Sequence, residues 1–310
     1  MPEVAAVETQ ALTKRYSKVE ALRGITLRIE RGEIFALLGP NGAGKTTWIS
    51  IVCGLVRASS GSASVLGHDV VGEALAARRS IGLVPQEINF DPFFKVREVL
   101  RFQMGYYGLR PDDARIDEVL AALDLTAKAD VKTRELSGGM KRRLLIAKAL
   151  VHRPPVAFLD EPTAGVDINL RRELWRYVRE LRAAGTTIVL TTHYLEEAEA
   201  LADRVAVIDH GGLISLDKPA ALLARHGRKR LRFTFTRALE AVQLPGDLSA
   251  RGAELDDTRT VLTCVVPDEG INDLLARVSA IGVPLAELRS EQPSLEQVFL
   301  ALTGHREERA

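Results

Sequence analysis

Cysteine is scarce, aromatic residues are few, and no long apolar run occurs anywhere in the 310 residues. The two cysteines, Cys53 and Cys264, stand far apart with no metal-ligand spacing, which excludes a disulfide scaffold. Each reads as a small core residue. Net charge is also missing. Forty-two Lys+Arg oppose 41 Asp+Glu for a formal +1, so no global field draws the chain to nucleic acid or anionic lipid. A membrane span needs roughly 20 consecutive apolar residues. The longest candidate, Ile34–Leu38, stops at a glycine-rich loop, so the chain is expected not to cross a bilayer by itself. Met1 to Thr13 lacks the basic start and unbroken apolar run of a signal peptide. Internal repeats and low-complexity segments are absent as well. What remains is a composition of 46% hydrophobic and 27% charged residues, which excludes a disordered chain, and a length that allows one large domain and a smaller one.

Over about the first 215 residues short apolar strands alternate with amphipathic helices, predicting an α/β domain. Strand candidates are Val7–Leu12, Ile25–Ile29, Ile34–Leu38, Ser62–Val65, Ile81–Val84, Val156–Leu159, Thr187–Thr191 and Arg204–Ile208. Three of them, Ile34–Leu38, Val156–Leu159 and Thr187–Thr191, are apolar nearly throughout, as central parallel strands covered on both faces must be. Leu170, Leu174, Val178 and Leu181 recur at helical spacing among charged neighbours. Beyond the basic run Arg228, Lys229, Arg230 the pattern changes. Leu231, Phe233 and Phe235 alternate with polar residues, Val261–Val266 and Val283–Leu288 read as strands, and Ile271, Leu274, Leu275, Val278 and Ile281 mark one helix face. A last helix is predicted from Ser294. Residues 5–220 are thus expected to form the α/β domain and 228–304 a small accessory α+β domain.

The run Gly39, Pro40, Asn41, Gly42, Ala43, Gly44, Lys45, Thr46 fits G-x-x-x-x-G-K-[ST], directly after an apolar strand and before a helical pattern. That placement carries the argument. Glycines let the backbone curl so that successive N–H groups face a phosphate, reinforced by the helix N-terminus. Lys45 is expected to reach the β- and γ-phosphates and the Thr46 hydroxyl to ligate Mg²⁺, so the chain is expected to bind a nucleoside triphosphate. A second strand, Val156 to Leu159, ends in Asp160 and Glu161. Ligands gather at the carboxyl ends of parallel strands, so both acids should lie near the phosphates. Adjacent residues of a strand point opposite ways, which gives them different roles. Asp160 suits the Mg²⁺ shell, and Glu161 suits orienting and polarising an attacking water.

At Leu136-Ser137-Gly138-Gly139-Met140 a second glycine pair opens a helical segment. A serine and two glycines at a helix start form another phosphate-seeking device. One chain has little use for two of them, whereas a dimer uses both if each chain completes the other's site. Here the sequence resembles the ATP-binding subunits of ABC transporters, over roughly residues 5–220, with a helical subdomain at about 88–150. The resemblance implies a P-loop ATPase core and the following roles. Tyr16 corresponds to the aromatic that stacks on adenine, and Gly39 through Thr47 to the Walker A loop. Gln86 corresponds to the Q-loop glutamine, shared between metal and water. Ser137, Gly138 and Gly139 belong to the signature that touches the partner's ATP. Asp160 and Glu161 correspond to the Walker B aspartate and the catalytic glutamate, Asp167 to the D-loop acid, and His193 to the switch histidine.

Two departures from the commonest family pattern narrow the resemblance: Met140 replaces the usual glutamine, and Ala164-Gly165 the usual serine and alanine. Both are similar to the ABC-2 exporter branch, as are the C-terminal Ser294 to Gly304 and the stretch Pro92 to Arg101. In that family this stretch receives a helix of the membrane subunit, here beside Phe93 and Phe94. The resemblance therefore implies an ATPase with ATP and Mg²⁺ as cofactors. It also implies a homodimer that sandwiches two ATP molecules, and an integral-membrane permease as partner. The site of action would be the cytoplasmic face of the inner (plasma) membrane, held peripherally through that permease, with no nucleic acid partner. An alternative is a soluble ATPase of the same core acting on nucleic acid or the ribosome. Gln86 to Leu136 holds no sustained heptads of the kind a long coiled-coil insertion needs. A small-molecule kinase would leave Leu136–Met140 and His193 without a role. The run Lys141, Arg142, Arg143 reads as the first turns of a solvated helix.

Overall fold

A computed structural model describes residues 4–163, 168–192, 194–227, 229–240, 248, 253–266 and 270–304. The chain divides into two compact units, Met1–Pro219 and Ala220–Ala310.

In the first unit, β1 (Val7–Tyr16) and β2 (Val19–Ile29) form a hairpin that pairs through β1 with β4 (Ser60–Val65), and β4 with the short β5 (His68–Asp69). Both hairpin strands run further than hydrophobicity predicts. Their outer halves alternate too little because they leave the core: Lys14 to Tyr16 and Val19 to Glu20 are largely exposed. Beside this sheet lies a six-stranded one, in the order β10-β9-β3-β8-β7-β6. Its members are β3 (Ile34–Leu38), β6 (Ile81–Val84), β7 (Val156–Asp160), β8 (Thr187–Thr191), β9 (Arg204–Asp209) and β10 (Gly212–Asp217). All neighbours are parallel except β10, which turns back at His210-Gly211, where both residues have positive φ. That two-residue turn is the sequence signal for β10, which periodicity alone misses. Every residue of β3, β7 and β8 is buried, as parallel strands covered on both faces require.

The register sets the site. Leu37 pairs with Thr191, and Thr191 with Asp160, so the carboxyl ends of three central strands form one row. Under them Phe35, Trp48 and Phe158 are fully buried, with Trp48 and Phe158 6.4 Å apart between ring centroids. Each such side chain contributes about 1.5–3 kcal/mol on leaving water. The helices of the unit are α1 (Lys45–Val52), α2 (Ala74–Arg79), α3 (Val96–Tyr106), α4 (Asp113–Ala122), α5 (Gly138–Leu150), α6 (Ile168–Ala183) and α7 (Leu195–Leu201). Among the described residues no helix is long and apolar enough to cross a membrane.

The helix α8 (Pro219–His226) begins where the two units divide. The second unit carries an antiparallel sheet in the order β12-β13-β11-β14, made of β11 (Arg230–Phe235), β12 (Glu254–Leu255), β13 (Val261–Val265) and β14 (Leu285–Glu291). Leu231, Phe233 and Phe235 alternate inward as their spacing predicts, and pack with Leu262, Cys264, Leu274 and Val278. The helices are α9 (Ile271–Ser279) and α10 (Leu295–Thr303), the latter capped by the Ser294 hydroxyl, which accepts from the Gln297 amide. Strand β14 starts two residues later than Val283. Pro284 lacks an amide proton and spends its carbonyl on the Thr236 amide, so the ladder opens only beyond it. Both cysteines are buried free thiols, and burial pushes that of Cys264 up to about 11.

Candidate functional site

The phosphate-loop sequence leaves β3 at Gly39 and enters α1 at Lys45. A side chain at Gly39 would place its Cβ 2.2 Å from the Ile208 carbonyl oxygen. At Gly44, φ is +107° and a Cβ would lie 2.5 Å from the Ala21 carbonyl oxygen. Only glycine meets both constraints. Ala43 is buried, while Pro40 is half-buried and Asn41, Gly42 and Thr46 are exposed at the mouth, with Thr47 half-buried behind them. No side chain caps α1. Lys45 is 6% exposed, and its ammonium donates to the carbonyls of Gly39 (2.7 Å) and Pro40 (3.1 Å). Burial pushes the Lys45 ammonium below its ordinary value, while the nearby Glu161 and Asp160 carboxylates draw it back up. The lysine and both acids therefore share one field.

Asp160 is buried as the last residue of β7, and its Oδ1 accepts a 2.5 Å hydrogen bond from the Thr191 hydroxyl in the same row. Glu161 follows outside the strand with φ +49°, a left-handed conformation unfavourable for a side chain with Cβ. Its amide donates to Thr191 Oγ1 (3.0 Å) and to the Thr191 carbonyl (3.2 Å). The backbone thus turns the two acids apart. Gln86, exposed beyond β6, donates from its carboxamide to Glu161 Oε2 at 3.2 Å, so residues 75 positions apart meet. Tyr16 is 44% exposed, with the Lys14 ammonium 4.8 Å from its ring centroid. It pairs with Val19, two residues before the Ala21 carbonyl that abuts Gly44, so the hairpin end stands beside the phosphate loop. His193, Asp167, Ala164 and Gly165 lie outside the described residues.

Ser137 caps α5, its hydroxyl accepting from the Met140 amide at 3.3 Å. Ser137 and Gly138 are exposed and Gly139 half-exposed, and a Cβ at Gly138 would meet nothing within 4 Å. The basic run that follows is not a solvated turn. Arg142 is 4% exposed and donates to the carbonyls of Pro85, Gln86 and Glu161. Arg143 pairs with Asp124 and Glu173. Three consecutive residues on a helix are spread over about 200° of its circumference, too wide for one solvated face, and composition alone does not say which of them turns inward. Phe93 (67% exposed) and Phe94 (38%) stand outside the core, Phe94 edge-on to Phe102 at 4.9 Å.

A family model described as "ABC transporter" matches residues 22–164. A daunorubicin resistance ATP-binding protein of Streptomyces coeruleorubidus is 39% identical, the match covering 96% of each chain. A linearmycin resistance ATP-binding protein of Bacillus subtilis (strain 168) is 36% identical, over 96% of this chain and 98% of that one. A Nod factor export ATP-binding protein of Burkholderia orbicola (strain AU 1054) is 39% identical, over 97% and 98%. Among solved structures, an ATP-binding subunit of an ABC transporter superposes with a TM-score of 0.66 at 27% identity, covering 71% of this chain and 92% of that one. A dimeric ATP-binding cassette in a post-hydrolysis state with ADP and Pi gives 0.64 at 27% identity, covering 68% and 98%.

Proposed function

The chain belongs to the ABC transporter family, among the ATP-binding subunits of ABC-2 exporters, and from that premise we propose that it drives a separate membrane permease through ATP-dependent closure of a head-to-tail dimer. It is an ATPase of that family. Support for the dimer comes from one contrast: Gly39 and Gly44 of the phosphate loop are crowded by their own chain, while Ser137 and Gly138 are exposed and, among the described residues, nothing lies within 4 Å of where a Cβ at Gly138 would stand. In the closed dimer, Ser137, Gly138 and Gly139 of one copy lie against the γ-phosphate bound by Lys45 of the other.

The donor set fits ATP with Mg²⁺. The loop supplies an uncapped helix start and a buried ammonium, and Thr46 with Asp160 supplies hard oxygen ligands, joined by Gln86. Mg²⁺ held by these oxygens would supply charge neutralisation at the transferred phosphoryl group. Lys45 holds the phosphate, exchanging its two loop carbonyls for phosphate oxygens. Thr191 aims the Asp160 carboxylate by donating to its Oδ1. Glu161 orients the attacking water, and the Gln86 carboxamide steadies its carboxylate. Tyr16 stacks on the base. His193 and Asp167 take the switch and D-loop roles by the same resemblance. Phe93 and Phe94, exposed, receive the permease on this reading, and the chain works peripherally at the cytoplasmic face of the membrane through that contact. The relatives' names concern export and drug resistance, which is the class of transport proposed here.

A tagged Glu161→Gln variant purified from detergent-solubilised membranes of its own host with Mg-ATP tests this. It should bind ATP, lose about 100-fold or more in turnover, accumulate as an ATP-bound dimer and carry a stoichiometric multi-span membrane protein. Ribosomal proteins or nucleic acid without a membrane protein would replace the exporter by the alternative machine. Turnover like that of the unaltered protein would remove Glu161 from its role.

A further inference from the structure

We propose that Arg142 is a positioning residue for hydrolysis: from the second turn of α5 it clamps the backbone from which Gln86 and Glu161 project. The helix that offers Ser137 and Gly138 to a partner thereby also sets the hydrolytic pair of its own chain.

Its guanidinium bridges two separate segments. Nη1 donates to the carbonyls of Pro85 (3.1 Å) and Gln86 (3.0 Å), in the loop after β6, and Nη2 to the carbonyl of Glu161 (3.2 Å), just past β7. Among the described residues no carboxylate forms an ion pair with it within 4 Å, and its buried Nε has no hydrogen-bond partner. Burying a guanidinium this way costs several kcal/mol. Desolvation accordingly pushes its pKa down, opposed by the Glu161 and Asp160 charges. An arginine needed only to fill space would be a poor choice over an apolar residue of similar volume. What it provides is location: two of the three carbonyls it holds belong to the residues whose side chains meet at 3.2 Å.

Glu161 makes the need concrete. A non-glycine residue at φ +49° is held there only if its surroundings over-determine it. Thr191 fixes the peptide on its amide side, and Arg142 fixes the one on its carbonyl side. The guanidinium is planar and its donors diverge in a fixed fork, so it fixes the spacing between its acceptors. A lysine ammonium in its place keeps the charge without that rigid span. Gly139, three residues before Arg142, lies one turn up the same helix, so a shift of α5 on dimer closure is felt at Glu161 through a single side chain.

This inference rests on the reading of Glu161 as the residue that orients water. The test uses the full chain as Arg142→Gln, Arg142→Lys and Glu161→Gln, with the Arg142→Gln/Glu161→Gln double variant. Steady-state ATPase is measured alongside calorimetric ADP affinity and the unfolding temperature of each. Arg142→Gln should lower kcat about tenfold or more, with KM for ATP and Kd for ADP within about twofold. Arg142→Lys should fall between the two and keep the fold secure. On the Glu161→Gln background, Arg142→Gln should change residual turnover by less than about twofold, because the group it positions is gone. Loss of ADP affinity and unfolding temperature in proportion to activity would make Arg142 merely structural. So would a kcat factor that multiplies unchanged onto Glu161→Gln. Either result overturns the proposal. Unimpaired turnover in Glu161→Gln alone would instead overturn the reading on which it rests. An inactive Glu161→Gln beside an unaffected Arg142→Gln would overturn only the role of Arg142.

Discussion

Two helices of the first unit open on glycine, and they are built in opposite ways. Helix α1 starts from Gly44, in a left-handed conformation and crowded by the Ala21 carbonyl, while Gly39 at the loop's other end is pressed against Ile208. Helix α5 starts from Gly138, in ordinary helical conformation with nothing within 4 Å of where a Cβ would stand. The first loop needs its glycines to fold. At the second, the chain's own packing gives no reason for glycine at all. A residue that is small, exposed and uncrowded at a helix start is what half of a shared site needs, and on the proposed reading this difference is that between a self-complete binding loop and one completed by a second copy.

Gly39→Ala should have the largest effect. The new Cβ meets a backbone oxygen of β9 at 2.2 Å, so strand or loop must move. Such overpacking costs about 1–3 kcal/mol, and a unit of this size loses roughly 2–4 °C per kcal/mol. The unfolding temperature should fall several degrees, and ADP binding measured by calorimetry should be lost with it. An unshifted transition would mean that the loop is looser than its packing indicates.

Gly138→Ala should separate folding from turnover. Alanine is favoured over glycine in a helix by up to about 1 kcal/mol, so the unfolding temperature should hold or rise and ADP affinity should not change. Turnover should nevertheless fall about tenfold or more, since an added methyl intrudes where the partner's nucleotide sits. Turnover at the unaltered rate, measured at protein concentrations that favour the dimer, would show that this helix start serves no second nucleotide.

The same contrast explains what the sequence discloses. Strands β3, β7 and β8 are legible because burial on both faces leaves an unbroken apolar run with a sharp polar end, and that end is where Asp160 and Glu161 stand. Short or half-exposed elements are harder to see. Strands β5, β10 and β12 carry too few inward residues to set a period, and the outer halves of β1 and β2 are wetted. At the site, the spacing of Gly39 to Thr46 and of Leu136 to Met140 is written in residue types. The meeting of Gln86 with Glu161 depends on which strands pair, and the role of Arg142 on which of three neighbouring cations turns inward. Neither follows from local pattern. Thr191 was legible only as the last residue of a strand, though its hydroxyl bonds both Asp160 and the Glu161 amide.

The other end of α5 offers the mildest test. Arg115 donates to the carbonyl of the helix's last residue, Leu150 (2.9 Å), and to that of the flanking Val151 (3.3 Å). Just beyond, the His152 ring stacks on Tyr107 with centroids 3.5 Å apart, and both side chains bond the Ile81 carbonyl. Burial pushes His152 down from 6.5 to about 4, the Ile81 carbonyl raises it in part, and the nearby Arg115 charge lowers it further. In the folded chain the imidazole is therefore neutral until well below the pH at which the unfolded chain takes up its proton. The unfolded state binds more protons in that window, so this histidine costs stability as pH falls from 6.5 to about 4 and adds no further loss below it. Allowing for partial solvent access, the loss is roughly 2–3 kcal/mol. His152→Gln keeps a donor for Ile81 and cannot titrate, so its stability measured by urea unfolding should fall less steeply over that range. ADP affinity at neutral pH should be unaltered. A parallel fall in both proteins would place the acid sensitivity in carboxylates elsewhere. A flattened one would show that the helix open to a partner at its start is anchored at its end by an uncharged histidine.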